Sequence, residues 1–369
     1  MIKRGMIMKF YMPTKVYQEN DAVMKHAAEI AAIGKKALIV TGKLSSKKNG
    51  SLDDVKKALE SQNTEYIIYD DIGENPTIDM VMDAAEKGRN NGADFVIGIG
   101  GGSPMDAAKA IALMIQNFDT SSDVLYQAVD LKALPVIEVP TTCGTGSEVT
   151  PYAVLTRDEL QTKQSISHRI FPDIALIDPK YIKSAPLSVL RNTAIDALGH
   201  FIESYFNTAA DDYSRMICQY GLSVWSENIP VLLGEEADEE TYDSMLLAST
   251  LAGMAIAHTS TNVPHGLSYY MTCHKGVPHG KAVGIFLPGY LKAVSEKYQE
   301  DVDMVLSMLG FDELEQFSFF IRQVLGEWDI SDKDAEIMTD SVVKSPRKLK
   351  LVPVDITEDD VRDIIEYMR

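Results

Sequence analysis

The stretch Asp94-Phe95-Val96-Ile97-Gly98-Ile99-Gly100-Gly101-Gly102-Ser103-Pro104-Met105-Asp106 decides the fold. Up to Ile99 it is apolar on both faces, as suits a strand buried inside a parallel sheet. Three glycines then let the backbone bend and approach a ligand closely. Ser103 is placed to cap a following helix, Pro104 suits its first position, and Asp106 completes a capping box. Strand, glycine turn and helix start together form an anion site, because free N–H groups and the positive end of the helix dipole face the ligand. The G-x-G-x-x-G fingerprint is not met: its last position falls on Ser103 counting from Gly98, and on Met105 counting from Gly100. The G-K-[ST] ending of a P-loop is missing as well.

Outward from this turn, Ala37 to Thr41, Glu65 to Asp70 and Val136 to Val139 are further strand-like runs, separated by amphipathic stretches such as Ser51 to Glu60 and Ile78 to Gly88. Such alternation specifies a mostly parallel sheet covered by helices. A second loop after a strand end, Pro140-Thr141-Thr142-Cys143-Gly144-Thr145-Gly146-Ser147-Glu148, holds four hydroxyl side chains and two glycines. Small donors on a bendable backbone suit a pyrophosphate or ribose, although polar hairpins share that composition. From about Pro186 onward helical stretches take over: Ser188 to Tyr205, Ser214 to Ile229, Thr241 to Ala257, Asp332 to Lys344 and Glu358 to Met368. An N-terminal α/β domain is expected to precede an all-helical one, with the acidic Gly234 to Glu240 as a solvated loop between helices.

Subtracting 54 acidic from 35 basic residues leaves a formal charge of −19 on 369 residues. Phosphate backbones are bound by clustered Lys and Arg, so nucleic acid and anionic lipid are excluded as partners. Three widely spaced cysteines, Cys143, Cys218 and Cys273, argue against a disulfide framework and for a reducing, cytoplasmic setting. After Lys3 and Arg4 the apolar stretch is cut by Lys9, unlike a signal peptide. The run Met245 to Ala257 is shorter than the ~20 residues that span a bilayer, and no membrane association is expected.

Asp196 and His200 stand at i and i+4 in a helical stretch, so both project from one face and can serve one ion. A surface ion pair has the same spacing. Four of the seven histidines follow close together, His258, His265, His274 and His279, and the His265 to Gly280 segment can supply two or three more ligands. Imidazole with carboxylate favours Zn(II) or Fe(II).

Gly100 to Lys109 (GGGSPMDAAK), Pro140 to Glu148 (PTTCGTGSE), Asp196 to Glu203 (DALGHFIE) and the His265 to Gly280 segment together resemble the iron-containing alcohol dehydrogenases, closest in pattern to NADP-dependent 1,3-propanediol and butanol dehydrogenase-like members. The resemblance covers nearly the whole chain. It implies an α/β dinucleotide-binding domain with a parallel sheet over residues 1–186, an α-helical metal and substrate domain over 187–369, and a cleft where a metal holds an alcohol oxygen beside the nicotinamide. Carried over by position, the metal ligands are Asp196, His200, His265 and His279, while His258 and His274 fall off ligand positions. Gly101, Gly102 and Ser103 go to the pyrophosphate; Thr141, Thr142, Ser147 and Lys163 lie along the nicotinamide half; Asn75 lines the cofactor cleft. The implied partner is a small alcohol or aldehyde, and the implied assembly a homodimer paired through the strand-like segment Phe10 to Glu19.

Three positions depart from the family pattern. Gly42 stands where NAD-using members place an acid for the adenosine ribose. Without that carboxylate, and with Ser45, Ser46, Lys47 and Lys48 following, NADP(H) is expected over NAD(H). Tyr269 replaces a histidine thought to help move the alcohol proton, and a phenol near pKa 10 is a poorer acid-base group at neutral pH. Cys143 replaces an alanine, either as an oxidisable thiol or as a small buried hydrophobe. The expected chemistry is metal-dependent hydride transfer between NADP(H) and a primary alcohol or diol and its aldehyde, with Fe(II) or Zn(II). The same architecture also resembles glycerol dehydrogenase and a carbon-oxygen lyase, dehydroquinate synthase; nucleotide binding without catalysis is a third reading.

Overall fold

The computed structural model describes residues 8–160 and 162–369, so the Lys3–Arg4 start lies outside the described residues. The described residues divide into two units, one spanning Met12–Ala185 and one made of Pro186–Arg369 with the N-terminal segment up to Tyr11.

Among its described residues the first unit has eight strands: β1 (Lys15–Gln18), β2 (Lys36–Thr41), β3 (Glu65–Tyr69), β4 (Phe95–Gly100), β5 (Val136–Pro140), β6 (Val154–Arg157), β7 (Thr162–Ser165) and β8 (Ile174–Ile177). Six of them form a parallel sheet in the order β1-β8-β5-β4-β2-β3, and β6 and β7 pair as a separate antiparallel ribbon. Every residue of β4 is buried, which explains its unbroken apolar run at the centre of the sheet. Residues of β2 alternate between two cores. Ala37 and Ile39 pack with Leu52, Val55 and Leu59 on one face, Leu38 and Val40 with Val81, Ala107 and Ile111 on the other. From β2 the chain steps outward to β3 and then back across to β4, so the strand order reverses between β2 and β4. Ligands of open parallel sheets bind at the carboxyl ends of strands at such a reversal.

The helix after β4 runs Gly102–Gln116, and its start corrects one expectation. Gly101 is the N-cap, with no side-chain cap. Ser103 Oγ instead accepts the N–H of Asn75 (3.2 Å), and Asp106 accepts Ser147 Oγ–H (2.6 Å) and the N–H of Val154 (2.8 Å). Tertiary partners outcompete the local capping box, and no side chain is spent on the first turn's donors.

The second unit has no strand among its described residues. Its longer helices are Leu187–Tyr205, Asp212–Ser226, Glu239–Thr259, Val263–Lys275, Leu287–Met308, Leu314–Leu325 and Asp332–Val343. The acidic run is more than a loop: Asp238 caps its helix in a box with Thr241, and Glu239 and Glu240 occupy the first turn, where the helix dipole favours negative charge. Phe10 stacks on His258 (centroids 4.8 Å apart) and the Tyr11 N–H donates to His258 Nε2 (3.1 Å), so the strand-like segment forms a strand only over Lys15–Gln18. No helix among the described residues is long and apolar enough to cross a membrane.

A candidate metal centre and a nucleotide cradle

Asp196 and His200 lie a turn apart on the helix Leu187–Tyr205, both buried. His265 is in the first turn of the helix Val263–Lys275, and His279 opens the short helix His279–Gly284. A Cβ on Gly280 would lie 1.6 Å from the carbonyl oxygen of Asn192, so only glycine lets the His279 segment seat against the helix that carries Asp196. One atom, Asp196 Oδ1, is thereby faced by three imidazoles: His265 Nε2 at 3.5 Å, His279 Nε2 at 3.7 Å and His200 Nε2 at 3.9 Å. Asp196, His265 and His279 offer ligand atoms within 4.8 Å of one another. His200 stacks on His265 with centroids 4.8 Å apart.

Asp196 Oδ1 and His265 Nε2 are buried without a hydrogen-bond partner. A buried acceptor left unsatisfied costs about 1–3 kcal/mol, and two facing each other at this spacing fit a shared cation. Burial works against the Asp196 carboxylate, but His200, His279 and His265 outweigh it and hold the group well below the usual carboxylate range. The donor set, imidazole nitrogens with one carboxylate oxygen, suits Fe(II) or Zn(II).

Glu203, two turns along the helix from Asp196, was quoted in the motif but given no role by sequence reasoning. It is fully buried. His265 Nδ1–H donates to its Oε2, and its Oε1 accepts the N–H groups of Asn262 (2.9 Å) and His265 (3.1 Å). Once the ring is neutral, with its remaining proton held on Nδ1, the Nε2 lone pair faces Asp196. Burial disfavours the His265 imidazolium, but the Glu203 and Asp196 charges prevail and lift its pKa to about 9 in the metal-free protein. The signal in sequence was the i, i+4, i+7 spacing of Asp196, His200 and Glu203 on one helix face.

Tyr269, one turn after His265, stacks over His279 (centroids 6.4 Å apart). The Lys348 ammonium lies 5.9 Å from the Tyr269 ring centroid and donates to Thr261 O (2.9 Å) and Oγ1 (2.7 Å). Burial pushes that lysine down to about 8. His258 and His274 stand outside the cluster: the former is tied to Phe10, Tyr11 and Met254, and the latter is exposed beside Tyr270.

In the first unit the two loops read as phosphate-binding touch each other. A Cβ on Gly101 would meet Thr142 Cγ2 at 3.2 Å, and one on Gly102 would meet Thr145 Cγ2 at 2.9 Å. Thr142 Oγ1 is buried there without a hydrogen-bond partner. Ser103 holds the Asn75 turn, where Asn75 has φ of 60°, and the Asn75 carbonyl accepts from Thr156 Oγ1 (3.1 Å). Thr141 donates its N–H to Gly100 O (2.8 Å). Lys163, paired in register with Thr156, lies near enough for its charge to act on Asp106. Ser147 is buried, its hydroxyl engaged by Asp106 and Lys109. An uncapped helix start, a cradle that a Cβ would fill and an orphaned hydroxyl fit a pyrophosphate and its sugar.

Gly42 follows β2, whose Thr41 is in register with Ile99 of β4, and Ser45 opens the short helix Ser45–Lys48 in an exposed position. Ser46 is buried against Thr41 Oγ1 (2.8 Å). Lys43 and Lys47 pair with Asp71 (2.6 Å) and Asp70 (2.5 Å). Cys143 is buried, as a small hydrophobe would be, and Cys273 is exposed.

A parallel sheet with an anion-binding turn, followed in the chain by a helical unit with an aspartate–histidine cluster, is the build of a metal-assisted dehydrogenase. Residues 13–179 match the family model for the iron-containing alcohol dehydrogenases, and residues 191–368 match its C-terminal counterpart. The chain belongs to the iron-containing alcohol dehydrogenase family. It is similar to the long-chain primary alcohol dehydrogenase AdhA of Thermoanaerobacter ethanolicus, at 33% identity over 79% of this chain and 74% of that one. The NADPH-dependent butanol dehydrogenase of Clostridium saccharobutylicum is 28% identical over 78% of this chain and 74% of its own. A crystal structure of an iron-containing alcohol dehydrogenase from Thermotoga maritima superposes with a TM-score of 0.92 at 39% identity, covering 98% and 99% of the two chains. The protein is thus an oxidoreductase of the alcohol dehydrogenase type, in a family that works with iron and a nicotinamide dinucleotide.

Proposed function

We propose that this chain is a cytoplasmic, homodimeric enzyme that transfers hydride reversibly between NADP(H) and a primary alcohol or diol and its aldehyde, using Fe(II) held by Asp196, His200, His265 and His279. The observation that carries the reading is the facing pair of orphaned buried atoms, Asp196 Oδ1 and His265 Nε2, among three imidazoles. When bound, the ion would act as a Lewis acid on the alcohol oxygen, and the nicotinamide would accept or return the hydride. Glu203 keeps the ring proton of His265 on Nδ1, and so leaves Nε2 as a ligand. Asp196 brings the one negative charge to the four-ligand set. Gly101, Gly102, Ser103 and the hydroxyls of Thr141 and Thr142 receive the pyrophosphate and the nicotinamide half, and Asn75 and Lys163 flank them. Tyr269 borders the metal ligands beside His279 and shapes the substrate side.

Preference for NADP(H) is supported by the missing carboxylate after β2 and by Lys43, Lys47 and Lys48. Asp70 and Asp71 already engage two of these lysines, which leaves Lys48 as the main candidate for a 2′-phosphate. Pairing of two copies through β1 is supported by its place at the end of the sheet.

The test is turnover of a panel of short alcohols, diols and aldehydes with both nucleotides, run anaerobically on chelator-treated and Fe(II)-restored protein. Activity that disappears with the metal, returns with Fe(II) and shows a higher kcat/KM with NADPH supports the proposal. Full activity without metal would end it, and an equal or higher kcat/KM with NADH would end the NADP part alone. Tyr269→Phe separates a proton-moving role, which loses kcat, from a pocket-shaping one, which alters substrate KM.

A further inference from the structure

We propose that Lys109 is a positioning residue for the nucleotide, a buried ammonium that holds the loop Pro140 to Glu148 against the glycine turn. The inference rests on the reading that the dinucleotide lies over Gly101 and Gly102.

Lys109 sits two turns into the helix that begins at Gly102, and none of its side chain reaches solvent. Its Nζ donates to Ser147 O (2.6 Å), Ser147 Oγ (2.6 Å) and Tyr152 O (3.0 Å). An ammonium has three donors, and all three go to one stretch of chain. Asp106, one turn earlier on the same helix face, takes up the rest of that stretch. It accepts Ser147 Oγ–H (2.6 Å) and the Val154 N–H (2.8 Å), with the Lys109 ammonium 3.9 Å away.

A buried lysine is costly where its volume alone is wanted, because an apolar side chain fills the same space without desolvating a charge. A close ion pair does not account for it either, since the Asp106 carboxylate stays 3.9 Å from the ammonium. Glu138 on β5 is fully buried with neither oxygen hydrogen bonded, and burial pushes its carboxyl well above the usual range. The charge goes instead into bonds to two backbone carbonyls and one hydroxyl. Bonds of this charge-assisted kind are the stronger class.

The consequence reaches the cradle through the loop. One end is fastened where the Thr141 N–H donates to Gly100 O (2.8 Å), and the other where Lys109 and Asp106 grip Ser147. Between these fastenings lie Thr142 and Thr145, the residues whose side chains stand over Gly101 and Gly102. Releasing the Ser147 end lets both threonines leave the turn, which weakens the nucleotide site and leaves the Asp196 cluster as it is.

The test is Lys109→Met, purified with its metal, with NADPH and NADH dissociation constants read by fluorescence and the KM of alcohol and nucleotide measured separately. The expected result is a nucleotide Kd and KM raised about tenfold or more, the loss of a charge-assisted hydrogen bond, with alcohol KM and bound iron unchanged. A folded Lys109→Met with wild-type nucleotide Kd overturns the proposal. Should that variant not fold, Asp106→Asn weakens the same grip on Ser147 at a residue assigned no nucleotide contact; it is expected to raise nucleotide Kd by a smaller factor, and an unchanged Kd there overturns the proposal equally. Gly102→Val fills the cradle itself. Wild-type nucleotide binding in Gly102→Val would refute the site reading, whereas loss of binding there with wild-type Kd in Lys109→Met would refute the positioning role alone.

Discussion

Glu203 and His265 are 62 residues apart, yet the carboxylate determines which nitrogen of the ring is available as a ligand. A ligating imidazole is a good donor only with its other nitrogen protonated and oriented, and loss of such a partner typically costs 10–100-fold in metal affinity. Glu203→Gln keeps the shape and removes the charge. It is expected to lower Fe(II) or Zn(II) affinity by about 10–100-fold in chelator competition, while nucleotide Kd stays at its wild-type value. Unaltered metal affinity would deny Glu203 this part. Tyr269 is the opposite kind of residue, since its place in the chain marks it as a candidate and its contacts with His279 and Lys348 come only from packing.

Among the elements, the short helix His279–Gly284 depends most on one small side chain. Its first ligand reaches Asp196 because Gly280 passes within a Cβ's reach of the Asn192 carbonyl, one turn before Asp196. Gly280→Ala is expected to destabilise the protein by about 1–3 kcal/mol, the usual cost of overpacking, and to leave it short of metal after purification. A variant with wild-type thermal stability and full iron content would contradict this. The helix Gly102–Gln116 carries a different lesson. Its Ser-Pro-x-Asp start has the form of a capping box, and the fold uses Ser103 and Asp106 for longer-range partners. Local signals predicted the helix correctly and misassigned two of its side chains, because a cap and a tertiary hydrogen bond are each worth about 1 kcal/mol, so packing decides which of the two is made.

At the scale of the whole molecule a charge of −19 disfavours a phosphate backbone as partner, yet it says little about the candidate sites, where the proposed anion would meet backbone N–H groups and the proposed cation one aspartate. The metal-free protein has a pH dependence of its own. His265 is raised from 6.5 to about 9, so its stabilising contribution is complete below about pH 6.5 and is lost as pH rises through about 9. A metal needs that proton gone, so its affinity rises over the same window. Thermal melts from about pH 6.5 to about 9 should therefore give a falling Tm for chelator-treated protein and a growing Tm gain on adding metal; a gain that is flat or shrinks would show that His265 does not carry the proton. Much of this fold was legible in the chain. Unbroken apolar runs marked β2 and β4 as inner strands, the glycine turn marked a strand-to-helix junction, and the spacing of Asp196 and His200 marked one face of a helix. β8 (IALI) went unread because four apolar residues fit a buried helix as well as a strand. The sequence by itself thus determined periodicity, turn chemistry and the residue types available, all of which act within a few residues. Only the tertiary structure decided that Asp196 faces His265 and His279, that Glu203 holds His265, and that Lys109 reaches Ser147, because contacts across tens of residues are set by how helices and strands pack and leave no period in the chain.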